Sequence, residues 1–141
     1  MPFLIGVLLA LSVAIFARLV GFDRDRAFYP TVLIVIGCLY GLFAVIGGSM
    51  SALAAESIGM VVFTLLAVFG FKRSPWLLVV GLAGHGVFDF FHGHLITNPG
   101  VPAWWPMFCG AYDVTAAGYL AWLLVRARAV GQTGSTESLK T

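Results

Sequence analysis

Hydrophobic positions along this chain gather into five long stretches, at about residues 2–20, 30–48, 52–70, 76–95 and 104–125, separated by short turns. Each stretch holds about 20 residues, the length an α-helix needs to cross a hydrocarbon core of about 30 Å at 1.5 Å per residue. Backbone groups in lipid must be satisfied within their own segment, which makes these stretches helices. A β-barrel would need ten-residue strands of alternating polarity, and none appear. The pattern predicts an all-α integral membrane bundle of five transmembrane helices. It occupies residues 1–126 and is followed by a polar tail, 127–141, with no apolar stripe, which is expected to be disordered.

Composition agrees. Of 141 residues, 60% are hydrophobic and only 10% charged, where a soluble domain carries about 25% charged residues. Mean hydropathy is +0.99. The net charge of +2 matters less than its placement. Arg18, Arg24 and Arg26 fall at the first connection, Lys72 and Arg73 at the third, and Arg126, Arg128 and Lys140 after the last helix. The second and fourth connections carry no cation. With five spans this alternation follows the positive-inside rule, so the N-terminus is expected outside and the C-terminus in the cytoplasm, in a multi-pass protein of the cell's cytoplasmic membrane. The first stretch reads as an uncleaved anchor, because a signal peptide would carry Lys or Arg ahead of its apolar core. Asp23 and Asp25 interleave the basic first loop, so it makes a poor nucleic-acid patch and reads as a solvated turn.

Glycines cluster inside the helices, including a Gly37–Gly41 pair and Gly81, Gly84 and Gly86, and read as notches for close helix packing. Trp76 and Trp122 are expected at the inner membrane interface, Trp104 and Trp105 at the outer one. Cys38 and Cys109 are expected at different depths, so no disulfide is predicted and both read as small buried hydrophobes.

Polar chemistry is concentrated in HGVFDFFHGH, residues 85–94, which holds all three histidines and one of the six acidic residues. On the expected topology His85 sits near the midplane and Asp89 in the outer half. His92 lies nearer the outer surface, with His94 pointing elsewhere. At about 100° per residue Asp89 is about 40° from His85, and His92 about 20° on the other side, so the three form one stripe. Glu56 on the third helix and Asp113 on the fifth reach the same outer half. Cys109 shares the face of Asp113. Intramembrane ionisable groups are costly and face partners in the bundle interior.

Imidazole and carboxylate together are ligands for zinc, iron or manganese. His85, Asp89 and His92 are the candidate metal ligands, and Glu56 or Asp113 the candidate catalytic base. The Asp89–His92 spacing matches half of a helical di-iron motif, which favours a single divalent ion such as zinc. Haem is disfavoured because all three histidines belong to one helix and its end. No Gly-x-Ser-x-Gly, HExxH, CxxC or phosphate-cradling loop is present, so no nucleotide is indicated.

HGVFDFFHGH followed by VPAWWPMFCGAYD resembles a small family of bacterial multipass integral membrane proteins, over residues 30 to 126. The resemblance implies that helices four and five pair, and it brings no known activity. The His85–Asp89 spacing is also similar to membrane zinc hydrolases of the alkaline ceramidase and adiponectin-receptor group. Those proteins have seven helices and a second His-x3-His, so no residue roles carry over.

Three functions remain open. One is a metal-dependent enzyme embedded in the bilayer and acting on a lipid-like substrate. Another is a non-catalytic subunit or packing partner. The third, a metal or proton transporter, is disfavoured because the inner halves hold few polar residues beyond Ser12, Thr64 and Thr115. A five-helix bundle is thin, which leaves room for a homo-oligomer.

Overall fold

A computed structural model describes residues 1–129 in full and the course of the last helix to residue 138. Of the tail expected to be disordered, 127–141, the last helix runs on through residue 138, and residues 139–141 lie outside the described residues. Among the described residues there are five α-helices: α1 (Pro2–Val20), α2 (Phe28–Ile46), α3 (Met50–Lys72), α4 (Trp76–Leu95) and α5 (Trp105–Ser138). Each contains a segment long and apolar enough to cross a membrane, as in a multi-pass membrane protein. The expected spans 2–20 and 76–95 coincide with α1 and α4. α2 starts two residues before the expected 30, because Pro30 is tolerated within a first helical turn, where its missing N–H has no helical partner to lose.

Local chemistry sets the ends. Gly21 takes a left-handed conformation (φ 90°) and closes α1, its N–H bonded to the Ala17 carbonyl. Ser49 caps α3, its hydroxyl accepting from the Ala52 N–H at 3.2 Å. Between α1 and α2 lies a single 3-10 turn, Phe22–Arg24.

The helices pack in a row that folds back on itself. α5 lies between α1 and α4, α3 runs along α2, and both reach α4. α1 turns its small residues Gly6, Ala10, Ala14 and Ala17 inward. Its outer face exposes Ile15, Phe16 and Leu19. The same inversion holds throughout: Ile58, Val61, Val87 and Phe91 are exposed, while Glu56, His85, Asp89, His92 and Asp113 are at most 2% exposed. Apolar surface on that scale fits lipid rather than water.

Cations collect at one end, here called the basic end. Arg26 donates to the Phe71 carbonyl at 3.2 Å, and the guanidinium of Arg128 stands 5.3 Å from the Trp76 ring. The loops around Gly47 and Pro99 form the opposite end.

α4 crosses α5 closely at Gly86 and Gly110. A Cβ at Gly86 would stand 3.0 Å from the Gly110 carbonyl oxygen and 3.3 Å from the Asp113 Cβ, and one at Gly110 would stand 3.3 Å from the Asp89 Cβ. Gly84, two residues away, has open space where its Cβ would be. Gly86→Val is therefore expected to lower unfolding stability by about 1–3 kcal/mol through overpacking. Gly84→Ala should be neutral or stabilising by up to about 1 kcal/mol. Thermal unfolding of the two variants in detergent checks this contrast.

Candidate metal centre

The crossing at Gly86 and Gly110 sets two pairs of side chains against each other, each pair one helical turn apart. α4 presents His85 and Asp89; α5 presents Cys109 and Asp113. One ligand atom from each of the four lies within 4.8 Å of the others, and all four residues are buried. His85 Nδ1 is 2.7 Å from Asp113 Oδ2 and 3.5 Å from Asp89 Oδ2. The Cys109 thiol points at the same Asp113 oxygen from 3.8 Å. Asp89 Oδ2 and Asp113 Oδ1 are buried without a hydrogen-bond partner. Unpaired carboxylate oxygens in such a place are expensive and call for an unseen donor or ion.

His92 and Glu56 form a second group. His92 Nε2 is 2.7 Å from Glu56 Oε1. The same oxygen accepts from Asn98 Nδ2 at 2.9 Å, and that amide also donates to the Tyr40 carbonyl at 3.0 Å. Asn98 reaches in from the α4–α5 loop because Gly100 presses against α2, where a Cβ would run into the Phe43 carbonyl. His94 is exposed.

Tyr40 joins the two groups. Its hydroxyl donates to Asp89 Oδ1 at 2.7 Å. Its ring stacks on His92, centroids 3.8 Å apart and planes within 12°. Phe63 meets the His85 ring edge-on at 4.7 Å, and Phe88 meets His92 at 5.4 Å. Aromatic walls thus hold both imidazoles.

Sequence reasoning named His85, Asp89, His92, Glu56 and Asp113. The structure brings His85, Asp89 and Asp113 together and sets His92 beside Glu56. Cys109, read as a small buried hydrophobe, stands in the first group, and both cysteines are free thiols. Its one-turn spacing from Asp113, the same as between His85 and Asp89, is the signal that could have found it. Tyr40 and Asn98 were missed. A tyrosine in mid-helix gives no sign of its partner, and Asn98 is placed by a loop.

Over the second group lies a cavity of about 330 Å³, with His92, Thr97 and Asn98 among its polar lining and Pro102 and Pro106 among the apolar. Away from it, toward the basic end, Leu33, Ala67, Leu78 and Leu82 are at most 3% exposed and form an apolar block. No family model matches this chain, and no curated protein or solved structure does so either.

Tyr40→Phe removes the hydroxyl that Asp89 Oδ1 accepts from and keeps the stacked ring. It is expected to lower stability by about 1.5–3 kcal/mol, as for a hydrogen bond to a charged group. Tyr40→Leu should cost more, since the stack on His92 goes too. Unfolding midpoints in detergent measure both.

Proposed function

We propose that this chain is a membrane-embedded metalloprotein that holds one divalent ion between α4 and α5 and acts on a lipid-like substrate. The observation that carries this reading is the buried set of His85, Asp89, Cys109 and Asp113, whose ligand atoms lie within 4.8 Å of one another, with two carboxylate oxygens lacking a hydrogen bond. Charge supports it. Three buried carboxylates face two buried imidazoles, so even with both histidines protonated one negative charge is left over. A dication beside Asp89 and Asp113 would offset the charge of those two carboxylates, and Cys109 bound as thiolate would add a third anion to the same ion. Nitrogen, oxygen and sulfur donors in a set of four suit zinc.

When bound, such an ion supplies Lewis-acid chemistry, polarising a carbonyl or phosphoryl oxygen. The chain's own residues do the rest. His92 lines the cavity and is held by Glu56, whose same oxygen accepts from Asn98, a suitable arrangement for giving or taking a proton. Tyr40 fixes Asp89 and the His92 ring in one frame. The apolar block beneath excludes a polar route through the bundle, which supports chemistry over transport. A donor set so fully enclosed also fits a closed structural metal site, and on that reading the protein is a non-catalytic membrane subunit.

Purified protein is expected to carry close to one equivalent of metal by element analysis. Asp89→Asn, Cys109→Ser and Asp113→Asn should each lose most of it, while His92→Ala keeps it. Against a panel of ester- and amide-linked lipids in proteoliposomes, His92→Ala should then turn over about 10²- to 10⁴-fold more slowly, the usual worth of a general acid or base. Metal-free protein that takes up no added zinc would end the metal reading. Metal held equally by all variants' parent and a His92→Ala protein with unchanged function would favour the structural site.

The basic end is assigned to the cytoplasm of a cell membrane, with the N-terminus and the metal group toward the outside, on the strength of its Arg and Lys residues. A fluorescent reporter that matures only in the cytoplasm, fused after α5, should be bright, and one fused ahead of Pro2 dark.

A further inference from the structure

A second cavity, of about 290 Å³, opens at the basic end, far from the candidate metal group. Leu78, Leu120, Leu123 and Leu124 form its apolar wall, and Arg24 and Arg26 stand at its lining on the polar side. Its size is near the lower end of small-molecule pockets, about 300–1,000 Å³. Arg26 and Arg128 lie over Phe71 and Trp76, and Arg126 stands 4.8 Å from the Trp122 ring. Aromatic and cationic side chains in this company mark the level of lipid headgroups.

Two polar atoms at this cavity are buried and lack any hydrogen-bond partner: the Tyr29 hydroxyl and Asp23 Oδ1. Tyr29 is 7% exposed, so water cannot easily satisfy it from outside. Two acids share this lining with Arg24 and Arg26. Asp23 Oδ2 lies 3.6 Å from Arg18, and Asp25 accepts from the Ala27 N–H at 2.9 Å. The cavity thus presents an acceptor at Asp23 Oδ1, a donor at the Tyr29 hydroxyl, two guanidinium groups and a wall of leucines.

We infer that this cavity binds an anionic phospholipid whose headgroup carries hydroxyls, of the phosphoglycerol class. Arg24 and Arg26 take the phosphate, Asp23 and Tyr29 take the headgroup hydroxyls, and the acyl chain leaves along the leucine wall into the bilayer. Basic pockets between membrane helices are suited to such lipids. This site is independent of the metal centre and stands or falls without it.

Native mass spectrometry of the detergent-purified full chain, titrated with phosphatidylglycerol, phosphatidylcholine or soluble glycerol phosphate, tests the inference. Phosphatidylglycerol is expected to bind at least about tenfold more tightly than phosphatidylcholine, the difference one charge-assisted contact makes. Arg24→Gln and Tyr29→Phe should each weaken it by about three- to tenfold. Circular dichroism and a monodisperse elution profile check that the variants fold, and Tyr29→Phe, which removes one oxygen, serves if Arg24→Gln does not. Equal binding of the two lipids overturns the inference, as does unchanged affinity in a folded Tyr29→Phe protein. Glycerol phosphate binding as tightly as the lipid would overturn the lipid assignment and leave a soluble phosphate ester as the ligand.

Discussion

Five ionisable side chains withdrawn from solvent inside a lipid-facing bundle must satisfy one another, and the rest of the structure is arranged around that demand. A charge buried alone in a medium of low dielectric is far more expensive than any single packing contact is worth. Here His85 meets Asp113, His92 meets Glu56, and Tyr40 ties Asp89 to the stacked His92 ring. The pairs come from α2, α3, α4 and α5 and the loop before α5, so the network also states which helices must be neighbours. Apolar matching gives no such instruction, because one leucine face packs on another nearly as well as on lipid.

Close approach is what makes the network possible. With a side chain at Gly86 or Gly110, α4 and α5 would separate by several tenths of an ångström or more, and the distances from His85 to both aspartates would open with them. Small residues of α1 then let that helix lie flat on the other side of α5. The bundle spends its glycines where polar groups must meet and keeps bulk for the lipid face.

The spans were legible because hydropathy over twenty residues is a strong signal; only their ends moved, by capping and by Pro30. The stripe on α4 was legible too, since helical periodicity puts His85, Asp89 and His92 on one face, and all three are buried. How that stripe divides was not. His85 and His92 lie two turns apart, and which acid meets which imidazole depends on the depth and rotation of α3 and α5, which no spacing within α4 records. Cys109 was read as a small buried hydrophobe, and it is buried in the core. What its spacing does not record is that its thiol lies within 4.8 Å of ligand atoms of His85 and Asp89 on α4. Asn98 depends on Gly100 and the turn of the α4–α5 loop, a matter of tertiary contact.

Polar function is also separated along the bundle axis. The buried carboxylates and imidazoles of α3, α4 and α5 lie toward the α2–α3 and α4–α5 loops, the arginines occupy the other end, and Leu33, Leu78 and Leu82 lie between them. Such a block keeps the arginines at a distance from the buried carboxylates, whose ion-pair partners are His85 and His92. The carboxylates around His85 are thereby left with few partners except each other, the imidazole and the Tyr40 hydroxyl. That shortage, rather than the mere presence of histidines, is what makes the site between α4 and α5 suited to a cation.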